Sequence, residues 1–141
     1  DTTRAVTPAM MAHHVRAVRN GVARTHVCGD MPAGAYRSPA EAVETARALV
    51  AAGADSVKLE GALIPQVAAI VADGIPVMGH VGLLPQTAAA YSRQGTTPEA
   101  AERIAADARA LDGAGCFAIV IEAVPAELAA RITGEVACPT I

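Results

Sequence analysis

Four short apolar runs of this chain each end on an ionisable side chain, and a helical pattern lies between each run and the next. The runs are Val27-Cys28-Gly29-Asp30, Ser56-Val57-Lys58-Leu59-Glu60-Gly61, Val77-Met78-Gly79-His80 and Ile119-Val120-Ile121-Glu122. Strands that alternate with helices pair in parallel through right-handed crossovers. Charge collected at the carboxyl ends of such strands marks the rim where parallel barrels and sheets place their active sites. The second run is the most constraining. Successive strand side chains alternate faces, so Lys58 and Glu60 share one face and Val57 and Leu59 the other. Two charges on one face of a buried strand must pair or hold a ligand.

The helices punctuate themselves. Thr7 and Pro8 open one that runs to residue 19, where Asn20-Gly21 stops it. Ser38-Pro39-Ala40-Glu41 supplies an N-cap, a Pro at the first helical position and a Glu that completes a capping box. That helix reaches residue 52, with Gly53 as its C-cap. Shorter patterns follow over 64–72 and 126–133, and a longer one runs from Thr97-Pro98-Glu99 to residue 112. Strands are expected over 25–29, 56–60, 76–80 and 117–121, with 138–141 starting one more. Residues 81–95 form the longest irregular stretch, of a length that often carries function. Tyr91 and Gln94 within it can equally order the loop or touch a ligand.

Polar tips on four different strands favour a closed barrel, because an open sheet gathers such residues near one crevice. No Gly-rich phosphate loop follows a strand, which argues against dinucleotide and P-loop readings. A complete eight-stranded barrel takes about 250 residues. The 141 residues here therefore read as one domain, 1–141, of α/β (βα)8 TIM-barrel type, partial, with about five strands.

Composition narrows the function classes. The net charge is −3 and aromatics are only 2%, so neither a basic patch nor a stacking platform for nucleic acid is present. Cys28, Cys116 and Cys138 show no CxxC or Cys/His spacing and read as reduced, buried thiols. His13 and His14 are adjacent on a helix, a poor metal pair; one packed and one exposed is expected. No apolar run reaches the roughly 20 residues of a membrane span, and no signal-peptide pattern heads the chain. The expectation is a cytoplasmic protein with no membrane or nucleic-acid partner.

Three carboxylates (Asp30, Glu60, Glu122), one ammonium (Lys58) and one imidazole (His80) on a common rim suit a specific chemistry. Hard carboxylate oxygens bind Mg²⁺, which takes one or two of them with water and substrate oxygens. A 2-oxo acid chelated to Mg²⁺ would enolise, with another carboxylate removing the adjacent proton and Lys58 balancing charge. On spacing alone other roles remain open. Asp30 can cap a turn, His80 can be a satisfied core histidine, and Lys58 with Glu60 can be a structural pair.

Taken as words, these runs resemble ketopantoate hydroxymethyltransferase, a (βα)8-barrel family of pantothenate biosynthesis. The matching pieces include Gly29-Asp30-Met31-Pro32, Val57-Lys58-Leu59-Glu60-Gly61, Pro76-Val77-Met78-Gly79-His80-Val81-Gly82-Leu83 with Pro85-Gln86, and Ile121-Glu122-Ala123-Val124-Pro125-Ala126-Glu127-Leu128-Ala129. They occur in the family's order across almost the whole chain. The resemblance implies transfer of a hydroxymethyl group from 5,10-methylenetetrahydrofolate to 3-methyl-2-oxobutanoate, giving 2-dehydropantoate through a Mg²⁺-stabilised enolate.

Position by position, it implies Asp30 and Glu60 as metal carboxylates and Asp30, Lys58 and His80 as substrate contacts. Glu122 is implied as the base for the C3 proton. A homo-oligomer is implied as the assembly. The family also carries a Gly-Asp-Ser motif upstream of the stretch matching Asp1, whose Asp is a second Mg²⁺ ligand, and further strands beyond Ile141. The chain therefore reads as the middle of such an enzyme, competent only if those parts come from elsewhere. Two alternatives are a related Mg²⁺-dependent lyase or mutase of the phosphoenolpyruvate mutase and isocitrate lyase group, and an inactive partial barrel that self-associates.

Overall fold

The computed structural model describes residues 3–141. After a 3-10 turn at Thr3–Ala5, helices α1 (Pro8–Gly21), α2 (Pro39–Ala51), α3 (Ile64–Ala72), α4 (Pro98–Gly113) and α5 (Ala126–Glu135) alternate with strands. The strands are β1 (Cys28–Asp30), β2 (Ser56–Lys58), β3 (Val77–Gly82) and β4 (Ala118–Glu122). Caps set the starts of three helices. Thr7, Ser38 and Thr97 each accept a hydrogen bond from the backbone N–H three residues on, and a Pro follows each at the first helical position. The box at Ser38 closes, the Glu41 N–H donating to Ser38 Oγ at 3.2 Å and the Glu41 carboxylate meeting the Ser38 backbone. The same carboxylate also accepts from the Arg37 backbone N–H at 2.9 Å and from its guanidinium at 2.7 Å.

The sheet is wholly parallel, in the order β1-β2-β3-β4. That order separates barrel from open sheet. A doubly wound sheet reverses direction at a switch point, whereas right-handed crossovers that always step the same way lay every helix on one face and curl the sheet round. The helices accordingly pack in sequence, α1 on α2, α2 on α3, α3 on α4 and α4 on α5. The core lies between sheet and helices, where Leu49, Val57, Ile70, Val77, Leu111 and Ile119 are fully buried. Gly29 and Gly79 face it without side chains. A Cβ at Gly29 would stand 3.2 Å from Leu49, and one at Gly79 would stand 3.0 Å from Leu111, so these glycines let α2 and α4 approach closely.

The other face carries Asp30, Lys58, Met78, His80 and Glu122, as alternation and register require. Several boundaries differ from the sequence expectation. β1 begins at Cys28 and ends on Asp30, because Asp55 accepts from the Val27 N–H and occupies that backbone. β3 runs on to Gly82, since Val81 and Gly82 pair with Ile121 and Glu122. The fifth strand is present as a single parallel bridge, Ile119 to Thr140. His13 and His14 are both exposed, ring against ring with centroids 5.6 Å apart. Of the cysteines only Cys116 is buried; Cys28 and Cys138 are half-buried. Among the described residues no helix is long and apolar enough to cross a membrane.

Candidate active site

Each ionisable strand tip reaches the same hollow. Asp30 ends β1, Lys58 ends β2 with Glu60 two residues beyond, His80 lies within β3, and Glu122 ends β4. All five line one cavity of about 220 Å³ at the carboxyl ends of the strands, walled further by Met31, Pro85 and Gln86.

Their contacts run in series. Lys58 Nζ lies 2.9 Å from Asp30 Oδ2 and 3.4 Å from His80 Nδ1. His80 Nε2 lies 3.1 Å from Glu122 Oε2. Burial lowers the His80 pKa, and the neighbouring Lys58 ammonium lowers it further, against the smaller pull of Glu122 and Asp30. The ring is therefore neutral near pH 7. Because an ammonium can only donate, Nδ1 is the acceptor and the proton sits on Nε2, facing Glu122. That nitrogen is buried and faces Glu122 Oε2 at 3.1 Å, a close approach just outside hydrogen-bond geometry.

Glu60 is held differently. It is 7% exposed, and its Oε2 accepts from the Gln86 backbone N–H at 2.9 Å. Desolvation raises its pKa; the Gln86 N–H and the Lys58 charge oppose that rise. Lys58 pairs with Asp30 across the sheet rather than with Glu60, so the structural-pair alternative for Lys58 and Glu60 does not hold. Alternation put both on one face, while register put Asp30 directly beside Lys58.

The donor set suits a hard cation. Asp30 Oδ1 is buried with no hydrogen-bond partner, an anionic oxygen aimed at a site that Glu60 also borders. Among the described residues no three His, Cys, Asp or Glu side chains gather into a closed metal cluster. An ion that keeps waters and substrate oxygens needs only one or two protein carboxylates.

One residue of this site has no role in the sequence reading. Gln86 was only part of an irregular loop, yet its backbone holds Glu60 and its side chain bonds to Met31 O and the Tyr36 hydroxyl. The available signal was indirect. A carboxylate buried after one strand needs a donor, and the loop after the neighbouring strand is the nearest source. Tyr91 is 75% exposed. Gln94 orders its own loop, donating to Ser92 O at 2.9 Å and, through its backbone, to Ala123 O at 2.8 Å.

The family model for ketopantoate hydroxymethyltransferase matches residues 1–141, the whole chain. The chain belongs to that family. Among curated ketopantoate hydroxymethyltransferase relatives, the 3-methyl-2-oxobutanoate hydroxymethyltransferase of Desulfotalea psychrophila is 49% identical over 148 residues, covering 100% of this chain and 53% of the relative. That of Ignicoccus hospitalis is 49% identical over 146 residues, covering 99% and 56%. The chain thus spans about half the length of the curated relatives it matches. Among solved structures, 2,3-dimethylmalate lyase, a PEP mutase/isocitrate lyase superfamily member, superposes with TM-score 0.72 at 17% identity, over 98% of this chain and 50% of that one. Phosphonopyruvate hydrolase superposes with TM-score 0.72 at 14% identity, over 98% and 52%. These two share the fold, and the family match carries the relationship to a named enzyme.

Proposed function

We propose that this chain carries the enolising half of a 3-methyl-2-oxobutanoate hydroxymethyltransferase site. The observation behind this reading is that Asp30, Lys58, Glu60, His80 and Glu122 share one cavity in a member of that family. The keto acid enters with its carboxylate and 2-oxo group toward Lys58, whose ammonium offsets their charge. Asp30 and Glu60 would hold Mg²⁺, which when bound supplies Lewis-acid polarisation of the 2-oxo group. Glu122 takes the C3 proton. His80 stays neutral, its Nε2–H toward the Glu122 carboxylate, so the base has no imidazolium beside it to hold its charge back from the C3 proton.

Water opens the methylene bridge of 5,10-methylenetetrahydrofolate, breaking both C–N bonds to give tetrahydrofolate and a one-carbon aldehyde. The C3 electron pair from the broken C–H bond adds to that carbonyl carbon, and its oxygen takes up the proton held by Glu122 to become the hydroxyl of 2-dehydropantoate. Self-association into a homo-oligomer belongs to the same reading, and size-exclusion chromatography tests it.

The first test is exchange of the C3 proton of 3-methyl-2-oxobutanoate in D₂O, followed by NMR without folate. Exchange that is lost with EDTA and with Glu122→Gln supports the assignment. A folded chain that catalyses none sinks enolisation for these 141 residues and leaves the inactive partial barrel as the better description.

A further inference from the structure

Gln86 has every polar group engaged. Its backbone N–H donates to Glu60 Oε2 at 2.9 Å, and its backbone O accepts from Arg4 Nε at 3.1 Å. In its side chain, Nε2 donates to Met31 O at 2.9 Å, and Oε1 accepts from the Tyr36 hydroxyl at 2.6 Å. Met31 O can only accept, so the amide nitrogen must face it and the oxygen must face Tyr36. Tyr36 is itself buried at 8% exposure, with its backbone O accepting from Gln66 Nε2 at 3.4 Å. The amide therefore has one allowed orientation, set from the loop between β1 and α2.

We propose that Gln86 is a positioning residue that sets the spacing between Asp30 and Glu60, with Tyr36 as its orienting partner. The proposal rests on the reading of those two carboxylates given above. The leverage comes from sequence adjacency. Met31 directly follows Asp30, and its N–H donates to Lys58 O at 2.8 Å, continuing the β1-β2 ladder. One residue thus grips the chain beside Asp30 with its side chain and the Glu60 carboxylate with its backbone. The gap between the two grips is fixed by covalent geometry rather than by loop packing. Asn is one methylene too short to span it. Glu would set an acceptor against the Met31 carbonyl. Leu has similar bulk but leaves the Met31 carbonyl without its donor and the Tyr36 hydroxyl without its acceptor.

The test uses the full chain, ¹⁵N-labelled and metal-free, with Tyr36→Phe and Gln86→Leu as variants. In the unsubstituted chain the residue-86 amide proton resonates downfield and exchanges slowly, as a donor to a carboxylate does. Glu60→Gln confirms the assignment by moving it upfield. Tyr36→Phe removes the hydroxyl that donates to Gln86 Oε1 and also meets the Glu60 backbone; it should shift the same amide upfield and speed its exchange about fivefold, and Gln86→Leu, which keeps that hydroxyl, should do the same.

Titration with Mn²⁺ as the probe should show affinity lowered about tenfold in Gln86→Leu and by less in Tyr36→Phe, the scale of outer-shell effects on metal sites. A folded Tyr36→Phe chain with an unchanged residue-86 amide overturns the proposal, as does a Gln86→Leu chain that binds Mn²⁺ as tightly as the parent. If the parent binds no Mn²⁺, the metal reading fails, and the amide shift alone still decides whether Tyr36 and Gln86 position Glu60.

Discussion

Lys58 and Asp30 are register partners on adjacent parallel strands, and their charged groups meet at 2.9 Å. The Lys58 side chain is 18% exposed and that of Asp30 43%, so solvent screens part of the attraction. Lys58→Met and Asp30→Asn should each lower stability by about 1 kcal/mol. Their double variant should lose less than the sum, because each single change strands the other charge. Urea unfolding of the four proteins measures this, and strict additivity would mean the pair is not coupled in solution.

Acid should weaken the fold through His80. Burial and the Lys58 charge hold its pKa below the ordinary 6.5, with Glu122 and Asp30 opposing more weakly. From about pH 6.5 downward the unfolded chain binds a proton that the native state resists. This contribution is whole above that range and is lost as pH falls toward the folded pKa. Comparing urea midpoints at about pH 7.5 and about pH 5.5, His80→Gln should flatten the dependence. A parent and variant with equal slopes would assign acid sensitivity to other groups.

Gly82 guards the position of Glu122. Its φ is +92°, and a Cβ there would collide with Glu122 O, the carbonyl that accepts from Leu83 N at 2.9 Å. Gly82→Ala should cost about 3 kcal/mol or more and slow C3 proton exchange by displacing the base. Gly34 makes the control. Its φ is +78° with nothing within 4 Å of a Cβ, so Gly34→Ala should cost about 1 kcal/mol from backbone strain alone. Equal losses in thermal unfolding would show that the clash at Gly82 relaxes without consequence.

The cysteines should be inert in the native protein. Burial pushes the Cys116 thiol up to about 12 and Cys138 up to about 11, where Asp112 adds to the effect; burial also raises Cys28. With the thiolate this scarce, alkylation by iodoacetamide at about pH 8 should run at least about a hundredfold slower than in urea. Mass spectrometry of timed samples reads the difference, and rapid native labelling at Cys116 would contradict its burial.

Helix starts were readable locally because a cap needs only a few consecutive residues: Thr7-Pro8, Ser38-Pro39 and Thr97-Pro98 all cap as their types dictate. The strand tips were readable for a similar reason. A period of two assigns Lys58 and Glu60 to a face, and the alternation of strands and helices puts all the tips at one end. Family membership followed from the order of words along the chain. These properties are carried by neighbours in sequence.

Pairing between elements was not carried that way. The polar tips favoured the barrel, but the strand order that bears it out depends on which strand each crossover reaches. The partner of Lys58 is Asp30 because register brings together residues far apart in the chain. Glu60 finds its donor in a loop after the next strand, at a residue whose own type mattered for its side chain and whose backbone did the binding. A backbone N–H is common to every residue but proline, so composition and motif cannot distinguish the one that matters. The chain alone determined which groups stand at the rim; only tertiary packing decided which of them touch, since contact depends on register and loop path rather than on local period.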